Sequence, residues 1–254
     1  MLHRFSELRG CTIGATDGEI GKVVDLYFDD LAWAARYLVV DTGRWLPGKQ
    51  VLISPAAANE MDVRARVLPV GLSMQQVHDS PEVDTALPVS RQRESELAMY
   101  YGWPLYWMPE ASGWGPGGQA LGGSAASSAS GAEVGPAVAE READPHLRSA
   151  REVISYRIQA SDGHIGHVED FIIDDWAWMV RYLVVDTRNF WPGRMVLVPP
   201  QSVRNVEWEE RSVTVDLPRE KIRNAPLYDP QSPIHRSYEE HLHGYYGWKR
   251  YWED

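Results

Sequence analysis

Two acidic pairs, Asp29-Asp30 and Asp174-Asp175, are the residues whose type and spacing most invite chemistry. Adjacent carboxylates can hold a cation or divide acid and base work, but acid–base catalysis needs partner groups within hydrogen-bond reach. The neighbouring sequence offers none, and Asp also closes turns by accepting hydrogen bonds from its own backbone. Turn closure is therefore the expected role. Arg36 and Arg181 open otherwise apolar segments, where a buried charge has to be paired. Asp25 and Asp170 on the preceding segments could face them, which predicts structural ion pairs Asp25–Arg36 and Asp170–Arg181 rather than anion-binding arginines.

The histidines cluster in the second half: His164 and His167, then His235, His241 and His243. Their counterparts in the first half are Glu19, Lys22, Ser90, Glu96 and Ala98, so the fold does not require imidazole there. A spacing of three on a strand, or of two on a helix, sends side chains to different faces. Zinc takes about four ligands in tetrahedral array, and no metal site is expected. Cys11 is replaced by Tyr156 in the second half and has no evident His partner, so no nucleophile is expected either. No phosphate-cradling Gly-x-x-x-x-Gly-Lys loop is present. The reading is of a chain that is not an enzyme and carries no cofactor.

The remaining candidates are aromatic. Tyr100, Tyr101, Trp103, Tyr106 and Trp107 recur as Tyr245, Tyr246, Trp248, Tyr251 and Trp252. Tyr and Trp join a large apolar body to a polar tip, which suits interface anchors. Tyr100, Tyr101, Trp103, Trp107, Tyr245, Tyr246, Trp248 and Trp252 are accordingly the candidate partner-binding residues. The alternative is that these tails fold back on their own barrel or onto the other copy.

The elements that must position these residues come from an internal duplication. Shifted by 145 residues, the chain matches itself without a gap from Ile13 to Trp107, with roughly forty identities in about ninety-five positions. Arg36-Tyr37-Leu38-Val39-Val40-Asp41-Thr42 returns unchanged as Arg181-Tyr182-Leu183-Val184-Val185-Asp186-Thr187, and Tyr100-Tyr101-Gly102-Trp103 as Tyr245-Tyr246-Gly247-Trp248. This predicts module 1 over 1–108, a Gly/Ser/Ala-rich flexible linker over 109–148, and module 2 over 149–254.

Within a module, Asp17-Gly18 signals a turn. A strand follows in which Ile20, Val24, Leu26 and Phe28 share a face opposite Val23, Asp25 and Tyr27. Arg36–Asp41 and Gln50–Ile53 are further strands, separated by the Pro47-Gly48 turn (Pro192-Gly193 in the second copy). Val63–Val70 and Val206–Val215 are expected strands. A short helix is expected at Leu217–Ile222 with Pro218 in its first turn, and longer ones over Ser90–Tyr101 and Pro233–Tyr246. Several short strands with regular turns indicate a mainly β fold: two small antiparallel barrels, each with a C-terminal helical extension, arranged as a pseudo-dimer.

Net charge is −11, divided as −4 over 1–108, −3 over 109–148 and −4 over 149–254. No region is a basic stripe, which argues against nucleic acid and against docking to an anionic membrane by charge. A single cysteine suits a reducing compartment. Met1–Glu7 lacks the apolar core of a signal peptide. The richest apolar stretch, Phe171–Val185, is interrupted by Asp174, Asp175 and Arg181, so no transmembrane segment is expected. A cytoplasmic location is the expectation.

The order of Asp-Gly-x-x-Gly turn, apolar strand ending in acids, Arg-Tyr-Leu-Val-Val-Asp strand, Pro-Gly turn, strand and Pro resembles the PRC-barrel domains. The stretch Asp216–Pro226 with Tyr-Tyr-Gly-Trp is similar to bacterial members with a C-terminal extension. The resemblance implies a non-catalytic protein-binding or assembly module, as in the cytoplasmic domain of the photosynthetic reaction-centre H subunit and in a ribosome-maturation factor. It supplies no catalytic motif. This chain is expected to lack the H subunit's spanning helix, which argues against photosynthetic electron-transfer work, and it departs from the ribosome factor in lacking that protein's extra N-terminal domain. A protein partner of unknown identity is expected, and peripheral association with a membrane complex is compatible with the reading. Two alternatives remain: a reaction-centre-associated photosynthetic assembly protein, and a small-molecule- or metal-binding enzyme using the duplicated acids at a cleft between the copies.

Overall fold

A computed structural model describes residues 1–43, 45–81, 83, 89–107, 146–187 and 194–253. The greater part of the expected linker, the Pro192-Gly193 turn and Arg44 lie outside the described residues.

In the first copy an N-terminal arm, β1 (Leu2–Arg4) and α1 (Phe5–Leu8), precedes β2 (Thr12–Gly14), β3 (Glu19–Asp29), β4 (Ala34–Asp41) and β5 (Gln50–Ile53). A 3-10 turn at Pro55–Ala57, β6 (Val67–Pro69), α2 (Met74–His78) and α3 (Arg91–Tyr101) follow. The second copy repeats this order. Its arm is β7 (Leu147–Ser149) and α4 (Ala150–Val153), and its strands are β8 (Arg157–Ala160), β9 (Gly163–Asp174), β10 (Met179–Asp186) and β11 (Met195–Val198). The chain continues through β12 (Val203–Glu207), β13 (Ser212–Val215), α5 (Arg219–Arg223) and α6 (Arg236–Tyr246). Residues 146–148, assigned to the linker from sequence, thus belong to the second copy's arm.

The mainly β expectation holds, with two changes. β2 to β5 and β8 to β11 are antiparallel meanders, but β6 pairs parallel with β2, and β13 parallel with β8. Among the described residues, hydrogen bonding also joins the strands into one 13-stranded sheet, in which β4 meets β10 at Ala34–Met179. Ala35 N donates to Trp178 O and Val180 N to Trp33 O, both at 2.7 Å, so the same bond recurs with the copies exchanged. The expected strand Val63–Val70 is confined to Val67–Pro69, and Val206–Val215 is a hairpin of β12 and β13 around the turn 208–211. Pro218 caps α5 from outside the helix instead of sitting in its first turn.

The face pattern of β3 also differs from strict alternation. Register shifts between Val23 and Asp25 place an extra residue, Val24, in the strand. Such a bulge exchanges faces downstream, so Val23 joins Ile20, Leu26 and Phe28 in the core while Val24 is half-buried on the other face. A second irregularity on β4, between the Tyr27–Tyr37 and Phe28–Ala35 pairs, leaves Arg36 unpaired, and β10 does the same with Arg181.

The two arms are exchanged. β1 pairs with β9 of the second copy (His3 opposite Ile173), and β7 pairs with β3 of the first (Arg148 opposite Phe28). The larger apolar cluster accordingly runs through both copies, with Phe28 and Phe171 at 5.3 Å between ring centroids, and a smaller one gathers around Tyr37, Leu52 and Leu147. Each fully buried ring of this kind contributes about 1.5–3 kcal/mol relative to exposure.

Gly166 has φ +66°, and a Cβ there would lie 1.9 Å from Asp186 O. Gly166→Ala is expected to destabilise the fold by about 2 kcal/mol or more through this clash. Gly247→Ala, at φ +78° but in open space, should cost only about 1 kcal/mol. Urea titration of both variants checks the order.

Candidate functional site

The acidic pairs lie where the arms cross. Asp29 Oδ1 accepts from Leu31 N and Ala32 N at 2.9 and 3.1 Å and closes the β3–β4 turn, as expected. Its Oδ2 accepts from Arg36 Nη2 at 3.0 Å. Asp174 repeats this with Trp176 N at 3.0 Å and Arg181 Nη2 at 2.8 Å. The ion pairs of the two arginines are therefore with Asp29 and Asp174, not with Asp25 and Asp170. The reason is register: the bulged Arg36 lies beside the end of β3, whereas Asp25 faces Val39, three residues along the strand, about 10 Å away.

Burial pushes the Asp29 carboxyl up, but the hydrogen bonds from Ala32, Arg36 and Leu31 outweigh it and hold the pKa below the usual value. The second acid of each pair holds the other copy's arm. Asp175 takes the Met1 ammonium and His3 Nε2, the latter at 2.9 Å. Asp30 takes His146 Nδ1 at 3.0 Å and Arg148 Nε at 2.5 Å.

Asp25 and Asp170 also grip exchanged arms. Asp170 accepts from Ser6 Oγ at 2.5 Å and Ser6 N at 3.2 Å, and Asp25 from Ser149 Oγ at 2.5 Å and Arg151 N at 3.0 Å. Burial raises both carboxyl pKa values, only partly offset by these bonds. An acid raised in the folded state favours folding fully below its unfolded value, about 3.9, and that contribution is lost as pH rises through the folded value. Asp170→Asn, which cannot ionise, should therefore show a smaller fall in stability than the parent as pH rises from about 4. Thermal melts across acidic pH check this, and an unchanged slope would contradict it.

The repeated Tyr-Tyr-Gly-Trp is a helix stop. Gly102 and Gly247 adopt φ +72° and +78°, the left-handed C-cap that glycine favours, and turn the chain back. Trp103 then stacks on Tyr101, and Trp248 on Tyr246, each at 4.2 Å. Tyr106 and Tyr251 come to rest under Arg36 and Arg181, each with the guanidinium 3.8 Å from the ring centroid. Arg91 lies over Trp107 at 4.5 Å, and Arg236 over Trp252 at 4.1 Å.

Beneath each tail is a buried glutamate that the aromatic pattern did not reveal. Tyr251 and Tyr182 hydroxyls lie 2.6 and 3.0 Å from Glu239 Oε1, and Arg236 is 2.9 Å from Oε2. Glu94 receives Tyr106 at 2.7 Å with Arg91 at 3.6 Å. Burial, and then the glutamate, raise the pKa of Tyr182 and Tyr37, so both phenols stay protonated donors. Arg91/Arg236 and Glu94/Glu239 are identical at the 145-residue offset, and their helical spacing of three was the available signal.

Of the eight aromatic candidates, Tyr246 is buried, with its hydroxyl on Leu197 O, so it serves its own copy and offers no partner surface. Tyr101, Trp103, Trp107, Tyr245, Trp248 and Trp252 are half-buried, and Tyr100 is exposed. Tyr100 and Tyr245 hydroxyls bond Gln76 O and Lys221 O, tying each helix to the one before it. Sequence reading overlooked a more open pair. Leu31 and Trp176 occupy equivalent turn positions and are 71% and 68% exposed.

The histidines do not assemble with one another. His164 Nδ1 meets Ile158 O, and His243 is buried against Trp252 with Nδ1 on Lys249 O. His235 and His241 are exposed. Burial holds His243 below the usual imidazole pKa. Cys11 is buried, with its thiol on Glu7 O. Among the described residues no helix is long and apolar enough to cross a membrane.

The family model of the PRC-barrel domain matches the chain twice, over residues 2–70 and 145–222. These segments cover more than half of the sequence and include both exchanged arms. The chain belongs to the PRC-barrel domain family, as a tandem duplication. A search of curated proteins finds no match.

Proposed function

We propose that this chain is a non-catalytic protein-binding and assembly module that works as an intramolecular pseudo-dimer. The observation that carries the reading is the commitment of the side chains best suited to chemistry. Asp25, Asp29, Asp30 and their counterparts each hold a turn, an arginine or an exchanged arm. Meanwhile Leu31 and Trp176 stand exposed at equivalent turns, and tryptophan is among the residues enriched at the centres of protein interfaces. Tyr100, exposed, and Trp103, Trp107, Tyr245, Trp248 and Trp252, half-buried, are further candidate contact residues. Family membership supports a protein-interaction role in general terms.

The test is affinity capture from native extract, membrane fractions included, comparing the intact chain with a folded Leu31→Ser/Trp176→Ser variant and a folded Trp103→Ala/Trp248→Ala variant. A partner retained by the parent and lost by either variant supports the reading and locates the surface. Equal recovery by all three, or none by any, overturns it.

A further inference from the structure

We propose that the second copy carries a binding site for a divalent transition cation of the Zn²⁺ class, formed by His167, Glu169 and Asp186. One nitrogen and two carboxylate oxygens from these residues lie within 4.8 Å of one another. Their sequence spacing conceals the cluster, because β9 and β10 bring it together: Asp186 is the direct cross-strand partner of His167. Between the Val184–Asp170 and Val185–Val168 pairs the register shifts, leaving Glu169 as the extra residue on β9. Its carboxylate turns to His167, with Oε2 3.2 Å from Nε2.

The site has the layering of a metal centre. Asp186 is 1% exposed and forms its floor, while His167 and Glu169 are half-buried and leave an entrance. Zinc bonds to imidazole nitrogen and carboxylate oxygen run to about 2.0–2.2 Å, with three protein ligands and a fourth position open in many sites. An N/O/O donor set including imidazole selects a transition metal over Mg²⁺ or Ca²⁺.

The first copy supplies an internal comparison. There the same three positions are Lys22, Val24 and Asp41, with Lys22 directly opposite Asp41. In that copy a lysine, which is not a usual metal ligand, takes the place of the imidazole. The second copy has an imidazole in place of the lysine and a second carboxylate in place of the valine, so three groups able to bind a metal stand where the first copy has one. Sequence spacing predicts no metal site here, because the carboxylates come to His167 only through the sheet register and the bulge at Glu169.

The experiment titrates chelator-treated full-length protein with ZnCl₂ by calorimetry and, in parallel, with Co²⁺ by visible absorption. The parent is expected to bind one ion at a saturable site and to gain thermal stability, since a ligand that binds only the folded state stabilises it. His167→Lys and Glu169→Val install the first copy's own residues, so they are expected to fold. Each should weaken Zn²⁺ binding at least tenfold and abolish the Co²⁺ spectrum, whereas His241→Ala should do neither. Absence of a saturable site in the parent overturns the proposal. So does unchanged binding in His167→Lys, or its loss in His241→Ala.

Discussion

Cutting the chain within residues 108–145 is expected to leave the two halves bound to each other. A protease site placed between Gly113 and Gly131 would separate the covalent halves without touching a described residue. Each half would still have its arm on the other's sheet, through β1 on β9 and β7 on β3. Separation would uncover the shared core around Phe28 and Phe171. It would also strip Asp25, Asp30, Asp170 and Asp175 of their arm partners. Leaving buried polar groups unpaired costs about 1–3 kcal/mol apiece. The cleaved protein should therefore elute as a 1:1 complex at about 1 μM, with dissociation only in denaturant. The second half expressed alone should form a homodimer, with Leu147–Ser149 lying on the partner's β9, because Asp175 there would meet His146 and Arg148. Two folded monomers from either preparation would contradict the exchange.

Glu239→Ala is expected to loosen the C-terminal tail and to lower stability by about 3 kcal/mol, since two phenol hydrogen bonds to a charged acceptor are lost. Tyr182 keeps His243 Nε2 at 2.9 Å, while Tyr251 loses its bond and Arg236 its ion pair. For a protein of this size the loss corresponds to a fall in Tm of roughly 6–12 °C. Trp252, held between Arg236 and His243, should become more exposed, so tryptophan emission should shift to the red and the tail should become sensitive to protease. Glu239→Gln keeps a neutral acceptor and should fall between the parent and the alanine variant. A full-size loss of stability with an undisturbed tail would mean that the glutamate supports the helix and not the tail.

The duplication, the meander strands, the C-terminal helices and the family resemblance were all legible in the sequence, because each depends on local periodicity or on identity at one fixed offset. Arg36 and Arg181 were rightly read as paired charges, yet their partners were not. A bulge of one residue decides which acid an arginine reaches, and strict alternation cannot signal a bulge. Glu94 and Glu239 were missed although they repeat, since a glutamate on a polar helix gives no sign of burial until the tail folds over it. The aromatic tails show the same limit. Their composition fits an interface or an internal seal equally well, and the left-handed turn at Gly102 and Gly247 brings Tyr106 and Tyr251 back onto their own copy.

By itself the sequence determined that one β-rich module occurs twice, and which positions each copy repeats. Tertiary structure alone decided that the copies exchange arms and share one core. The reason is that a short arm such as Leu2-His3-Arg4 has the same backbone hydrogen bonds to offer to either copy's sheet. Which sheet it joins depends on where the two copies lie when their apolar faces meet, and that is a property of the assembled core rather than of any local pattern.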